Sequence, residues 1–201
     1  MIKNIIFDIG NVLVSFAWKE TMEELGFTPE CIDILDKGFI NNSLWDELDL
    51  GVKAENDVIE TACKVFPQYS QNIRLFWENN LMTIRPYDYS EAWLKDLKNR
   101  GYNVYLLTNY PDTLFKKSVE NAFPFYPYTD GEIVSSRVKI RKPDKRIYEA
   151  LFSKYNLRPE ESIFFDDRAV NIDGAKAVGL NAFLFETFEK ADNTIKDFGG
   201  R

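Results

Sequence analysis

The hydrophobic pattern along the chain changes period twice. From Lys3 to Val14 an apolar run is broken by Asp8-Ile9-Gly10-Asn11, which predicts a buried strand ending in a polar turn. Over 18–80 no strand-like alternation follows. Apolar positions recur at helical spacing over 18–25, 30–39, 42–50, 55–65 and 71–80, punctuated by Gly26, Pro29, Gly51 and Pro67, so short helices are expected. After Pro86 the rhythm alternates: helix 90–100 capped by Gly101, strand 103–107, helix 112–121, strand 132–135, helix 144–154, strand 162–165, helix 169–178 and strand 182–185. Residues 192–201, ending Gly-Gly-Arg, are expected to fray.

Apolar strands alternating with amphipathic helices imply right-handed βαβ crossovers and a buried parallel sheet. The expected fold class is α/β, a doubly wound, Rossmann-like core made of residues 1–16 and 83–201. A small α-helical cap domain, residues 17–82, is inserted after the first strand. No internal repeat or low-complexity segment interrupts this plan.

At 201 residues with 45% hydrophobic content, the chain is long enough for one folded domain carrying such an insertion. A net charge of −7 without a basic cluster argues against a nucleic-acid partner. No uncharged run approaches the roughly 20 residues of a membrane span. Asp8 interrupts the apolar N-terminus and no small-residue cleavage site follows, so the cytoplasm is the expected location. A monomer or weak homodimer is expected. Cys31 and Cys63 match no metal-ligand spacing and read as reduced core thiols. The absence of histidine removes Ser-His-Asp and Cys-His catalysis and most transition-metal sites. Carboxylates, lysines, hydroxyls and an oxygen-ligated metal remain.

In open parallel sheets, ligands bind beyond the carboxyl ends of the strands. Those positions hold Asp8, Thr108-Asn109 and Asp166-Asp167, with Lys142 between the latter two in the stretch VKIRKPD. Phosphoryl transfer needs such groups, because its catalysis is mostly positioning and charge stabilisation. Mg²⁺ takes one or two carboxylates, carbonyls and waters, and Asp8 and Asp167, with Asp166 close by, can supply the carboxylates. The Gly10 carbonyl can turn toward the ion, since glycine tolerates a tight turn. Thr108 can donate its hydroxyl, and backbone N–H groups near Asn11 and Asn109 can bind phosphate oxygens. Lys142 can neutralise another phosphate oxygen and restrain Asp8. In the insertion, Trp45, Asp46, Glu47 and Asp49 read either as packing plus a solvated acidic face or as groups a cap presents to substrate. Phe123, Phe125, Tyr126 and Tyr128 read as cover for the sheet or a contact surface.

The segments IIFDIGNVLV, VYLLTN, RKPDKRIYEAL and IFFDDRAVNIDGAKAVGL, in this order, resemble the haloacid dehalogenase superfamily of Mg²⁺-dependent phosphatases over nearly the whole chain. The helical insertion matches the superfamily's capped subclass. FDIGNVLV with FFDDRAVNIDGA looks most like its sugar-phosphatase branch, which includes α-glucose-1-phosphatases. The resemblance implies hydrolysis of a small phosphorylated metabolite, a sugar phosphate, through an aspartyl-phosphate on Asp8. It implies Asp8, the Gly10 carbonyl and Asp167 as metal ligands, with Asp166 at or near the ion. It also implies Thr108, Asn109 and Lys142 as phosphate binders, with Asn171 behind the ligands.

One position departs from the pattern. Most phosphatases of the superfamily carry a second Asp two residues after the nucleophile, as general acid, and here that residue is Gly10. Such proton transfer is typically worth ~10²- to 10⁴-fold, so its loss implies slow turnover, a good leaving group or an acid supplied from elsewhere. The sugar-phosphatase branch tolerates the same Gly. Two rival functions stay open: dehalogenation of small haloacids, which the paired acids disfavour, and weakly catalytic binding of a phosphometabolite, which Gly10 allows.

Overall fold

The computed structural model describes residues 1–199. The first apolar run forms β1 (Asn4–Phe7), buried at every residue, and resumes after the polar turn as β2 (Val14–Phe16). The helical stretch follows: α1 (Trp18–Glu24), α2 (Pro29–Leu35) running on as a π-turn over Asp36–Ile40, α3 (Ser43–Leu50), α4 (Glu55–Val65) and α5 (Ser70–Glu78). Thr28 accepts a hydrogen bond from the Cys31 N–H and Pro29 takes the first helical position, which explains where α2 begins. Gly51, at φ +62°, ends α3 in the left-handed conformation that glycine adopts without a Cβ penalty.

The chain returns through β3 (Ile84–Pro86), which pairs antiparallel with β2 so that Phe16 faces Ile84. This two-stranded stalk is absent from the sequence reading, because three residues are too few to show a period. It brings the two ends of the helical stretch together, and Ala17 N–H donates to the Thr83 carbonyl at 2.7 Å.

Alternating elements follow: α6 (Ser90–Asn99), β4 (Asn103–Thr108), α7 (Asp112–Asn121), β5 (Gly131–Val134), α8 (Ser135–Val138), α9 (Lys145–Tyr155), β6 (Ser162–Asp166), α10 (Ala169–Lys176), β7 (Asn181–Leu184) and α11 (Phe188–Gly199). The parallel sheet has the order β5-β4-β1-β6-β7, so β1 is central and the winding reverses on either side of it. Successive side chains face opposite ways. Ile5 and Phe7 join Val104, Leu106 and Phe165 under α6, α7 and α11, whereas Ile6 joins Leu107 and Phe164 under α9 and α10. The sheet is therefore buried on both faces. Phe123 and Phe125 are buried in the first of these clusters, and Tyr126 and Tyr128 pack on it.

The helices between β2 and β3 gather round a separate apolar cluster that includes Met22, Phe39, Trp45, Val58, Ile73 and Phe76. Cys31 and Cys63 lie in it as buried free thiols. Among the described residues, no helix is long and apolar enough to cross a membrane.

The expectation that 192–201 frays is corrected over its described part. α11 runs to Gly199, Ile195 is fully buried, and Asp192 accepts hydrogen bonds from Trp93 Nε1 at 3.2 Å and Arg100 Nη1 at 2.9 Å. The docked apolar face offsets the loss of chain entropy that terminal position and composition suggested. Residues 200–201 lie outside the described residues.

Candidate active site

β1, β4 and β6 run parallel and adjacent, so their carboxyl ends deliver Asp8, Thr108 and Asp166 to one edge of the sheet. Thr108 and Asp166 are buried, and Asp8 is 8% exposed. Lys142 reaches into this cluster from the loop before α9. Its Nζ lies 2.9 Å from Asp8 Oδ1 and 2.6 Å from Asp166 Oδ2, and its side chain is fully buried. Asp8 Oδ1 also accepts from the Ile9 N–H at 2.7 Å, which fixes the carboxylate plane.

Asp166 is saturated with donors. Its Oδ1 accepts from the Arg168 N–H and Asn171 Nδ2, and its Oδ2 from Lys142 Nζ and Asn171 Nδ2. Asp167 is more open, with Asn11 Nδ2 on Oδ2 at 3.0 Å. Ligand oxygens of Asp8, Asp166 and Asp167 all lie within 4.8 Å of one another. Such a set of hard oxygen donors, with no nitrogen or sulfur among them, suits a magnesium-type cation.

Unscreened, these charges conflict. Burial pushes the Asp8 carboxyl up to about 7; Lys142 opposes this, while Asp166 and Asp167 add to it. Burial also raises Asp167, and its Asn11 hydrogen bond works the other way. For Lys142, burial disfavours the ammonium, but Asp8 and Asp166 outweigh it and hold the group above the ordinary lysine range. Lys142 is thus charged and counterbalances part of a carboxylate surplus.

A cavity of about 840 Å³ opens over this edge. It is lined from the sheet side by Asp8, Gly10, Asn11, Thr108, Asn109, Lys142, Asp167 and Asn171, and from the helical layer by Trp18, Trp45, Asp46 and Asp49 among others. All the residues singled out from sequence as nucleophile, ligands or phosphate contacts therefore meet at one place, Asp166 standing just behind the wall.

Several of them are engaged in ways the sequence did not suggest. The Asn109 carboxamide clamps the backbone of Lys142, accepting from its N–H at 2.8 Å and donating to its carbonyl at 3.1 Å. The Asn11 N–H donates to the Val14 carbonyl at 2.6 Å, so this amide is spent within the turn. The left-handed residue of that turn is Asn11, at φ 55°, and not Gly10, around whose Cβ position there is open space. The turn does not need glycine for its conformation.

The acidic stretch of α3 divides by role. Trp45 packs on Phe16, Phe39 and Trp77, Glu47 pairs with Lys53, and Asp46 pairs with Arg141. Asp49 is buried and faces the cavity. Arg141 was missed from sequence although it directly precedes Lys142, because a single arginine in a loop carries no periodic signal.

Fold and site together define an α/β protein with a carboxylate and lysine centre at the switch point of its sheet, roofed by helices. A model of the haloacid dehalogenase-like hydrolase family matches residues 2–179, and the chain belongs to that family. It is similar to a sesquiterpene phosphatase of Aspergillus oryzae, 27% identical over 179 residues that cover 89% of this chain and 87% of the relative. It is also similar to a D-ribitol-5-phosphate phosphatase of Bacteroides thetaiotaomicron, 25% identical, covering 94% of this chain and 92% of that one. Among solved structures, a HAD family enzyme of Bacteroides thetaiotaomicron in complex with magnesium and inorganic phosphate superposes with a TM-score of 0.77. That match is 22% identical and covers 95% of this chain and 99% of the other, a likeness of fold.

Proposed function

We propose that this protein is a magnesium-dependent phosphatase that hydrolyses a small phosphorylated metabolite, with a sugar phosphate as the favoured class, through a phosphoryl group carried on Asp8. The observation that carries the reading is the fully buried Lys142 bridging Asp8 and Asp166 at the floor of a cavity, with Asp167 alongside. The phosphatase names of two relatives that align over most of their length support it.

Asp8, Asp167 and the Gly10 carbonyl would hold the ion, and Asp166, its oxygens occupied by Lys142, Asn171 and the Arg168 N–H, braces the lysine. When bound, magnesium neutralises the carboxylates and polarises the phosphoryl group. In the first step an Asp8 oxygen attacks phosphorus and the bond to the leaving oxygen breaks. In the second, water attacks phosphorus, releasing inorganic phosphate and regenerating the carboxylate. Lys142 favours the ionised form of Asp8 and offers charge to a phosphate oxygen. Asn109 holds that lysine in place through its backbone, and Thr108 adds a hydroxyl beside the nucleophile. The helical layer acts as a cap that limits water and strengthens each charge contact. Its cavity wall mixes Trp18 and Trp45 with Asn41, Asn42 and Ser43, a surface for a hydroxylated ligand with apolar faces.

A screen of sugar and nucleotide monophosphates tests this. Phosphate release should require Mg²⁺ and stop with EDTA, and Asp8→Asn should fold yet lose turnover. Equal hydrolysis in EDTA, or an Asp8→Asn rate above about a tenth of wild type, would sink the proposal. Halide release from a 2-haloacid in EDTA would point to dehalogenation instead.

A further inference from the structure

The leaving oxygen needs a proton, and Gly10 cannot supply one. We propose that Asp49, on α3, is the catalytic acid that protonates the leaving group and then the base that activates water. The inference rests on the phosphatase reading above.

Four observations support it. Asp49 lines the same cavity as Asp8 and Lys142 and is only 8% exposed. Its Oδ1 is buried with no hydrogen-bond partner, a costly arrangement unless a ligand or proton acceptor fills it. Its position is set by the core and not only by its own helix: the Asp49 carbonyl accepts from Ser135 Oγ, which in turn accepts from the Tyr110 N–H at 3.0 Å, two residues past Thr108. Lys139 Nζ donates to the Gly51 carbonyl, and Arg141 pairs with Asp46, so α3 is pinned to the core on both sides of Asp49.

The protonation state agrees. Burial pushes the Asp49 carboxyl up to about 8; Arg141 and Lys142 oppose the shift, while Asp46 and Asp8 add to it. Tyr110, the other titratable group facing it, is itself raised by burial and stays neutral. Burial thus favours the protonated Asp49 carboxyl that the first step requires.

The two steps balance. As the Asp8 oxygen bonds to phosphorus, the P–O bond of the ester breaks and the departing oxygen takes the Asp49 proton, leaving Asp49 ionised. Asp49 then takes a proton from water while the water oxygen bonds to phosphorus and the bond to Asp8 breaks. Inorganic phosphate leaves, and both carboxyl groups return to their starting forms.

The test is the dependence of kcat/KM on leaving-group pKa, measured with Mg²⁺ on a series from dinitrophenyl phosphate through phenyl phosphate to alkyl phosphates. Wild type should show a shallow dependence. Asp49→Asn, which keeps the shape, should lose about 10²- to 10⁴-fold on alkyl phosphates and far less on dinitrophenyl phosphate, giving a steep line. The fall in wild-type alkyl phosphate hydrolysis above about pH 8 should disappear in the variant. An equal loss on every substrate would mark Asp49 as a binding or structural group and overturn the inference. A steep wild-type line overturns it whatever the variant does, while leaving the phosphatase reading intact. No hydrolysis of any aryl phosphate by wild type would sink the phosphatase reading and this inference with it.

Discussion

Replacing Asp8 should stabilise the metal-free protein, by an amount that depends on pH. Asp8 is 8% exposed, and burial with two neighbouring carboxylates raises its carboxyl from 3.8 to about 7. Each tenfold change in proton affinity is about 1.4 kcal/mol, so ionising Asp8 inside the fold costs about 4 kcal/mol more than ionising it in the unfolded chain. The unfolded state releases its proton first, so this loss of stability begins near 3.8 and is complete once pH passes about 7. Below 3.8 both states hold the proton and no penalty exists. Asp8→Asn removes the titration. The opposition of Lys142 is already contained in that shift, and the Asn amide keeps an oxygen that can accept from Lys142, so the gain above pH 7 is about the whole penalty, ~4 kcal/mol. At about pH 4 the variant should be close to wild type in stability, since the penalty is then nearly absent. Asp49 titrates in both proteins, and losing the Asp8 charge lowers its carboxyl toward the ordinary range, which adds to the gain of the variant at high pH. Urea unfolding in EDTA at about pH 4 and about pH 8.5 measures the difference. A gap that does not change with pH, or a variant less stable than wild type at the higher pH, would refute the argument that burial and carboxylate crowding set the protonation of Asp8.

Asn171→Ala removes the donor to both Asp166 oxygens, so magnesium affinity measured by calorimetry should weaken about 10- to 100-fold with the fold retained. Gly51→Ala places a Cβ 2.7 Å from Ser136 at a left-handed φ, and should lower stability by about 1–3 kcal/mol while loosening the seat of Asp49; a melt unchanged from wild type would contradict this. A Cβ at Gly10 meets no atom within 4 Å, so Gly10→Asp should fold, and in the Asp49→Asn background it should recover part of the lost rate on alkyl phosphates.

The alternation of apolar strands and amphipathic helices is a local property, and the sequence alone determined from it the α/β class, the helical stretch between β2 and β3, and the placement of Asp8, Thr108 and Asp166 at strand ends. Each of those readings depends on neighbours within a few residues, where period 2 or 3.6 is written into the chain. The sequence also marked Gly10 as the position without an acid. What it did not determine is who meets whom. Lys142 lies 24 residues from Asp166 in sequence, and only the order that sets β1 between β4 and β6 brings the lysine, Asp8 and Asp166 into one buried cluster. The same holds for α11, whose Asp192 finds Trp93 99 residues away, and for Asp49, whose carbonyl is held by Ser135 86 residues on. A solvated acid and a buried, unpartnered one look alike in sequence. Burial decides between them, and burial is a property of the packed molecule.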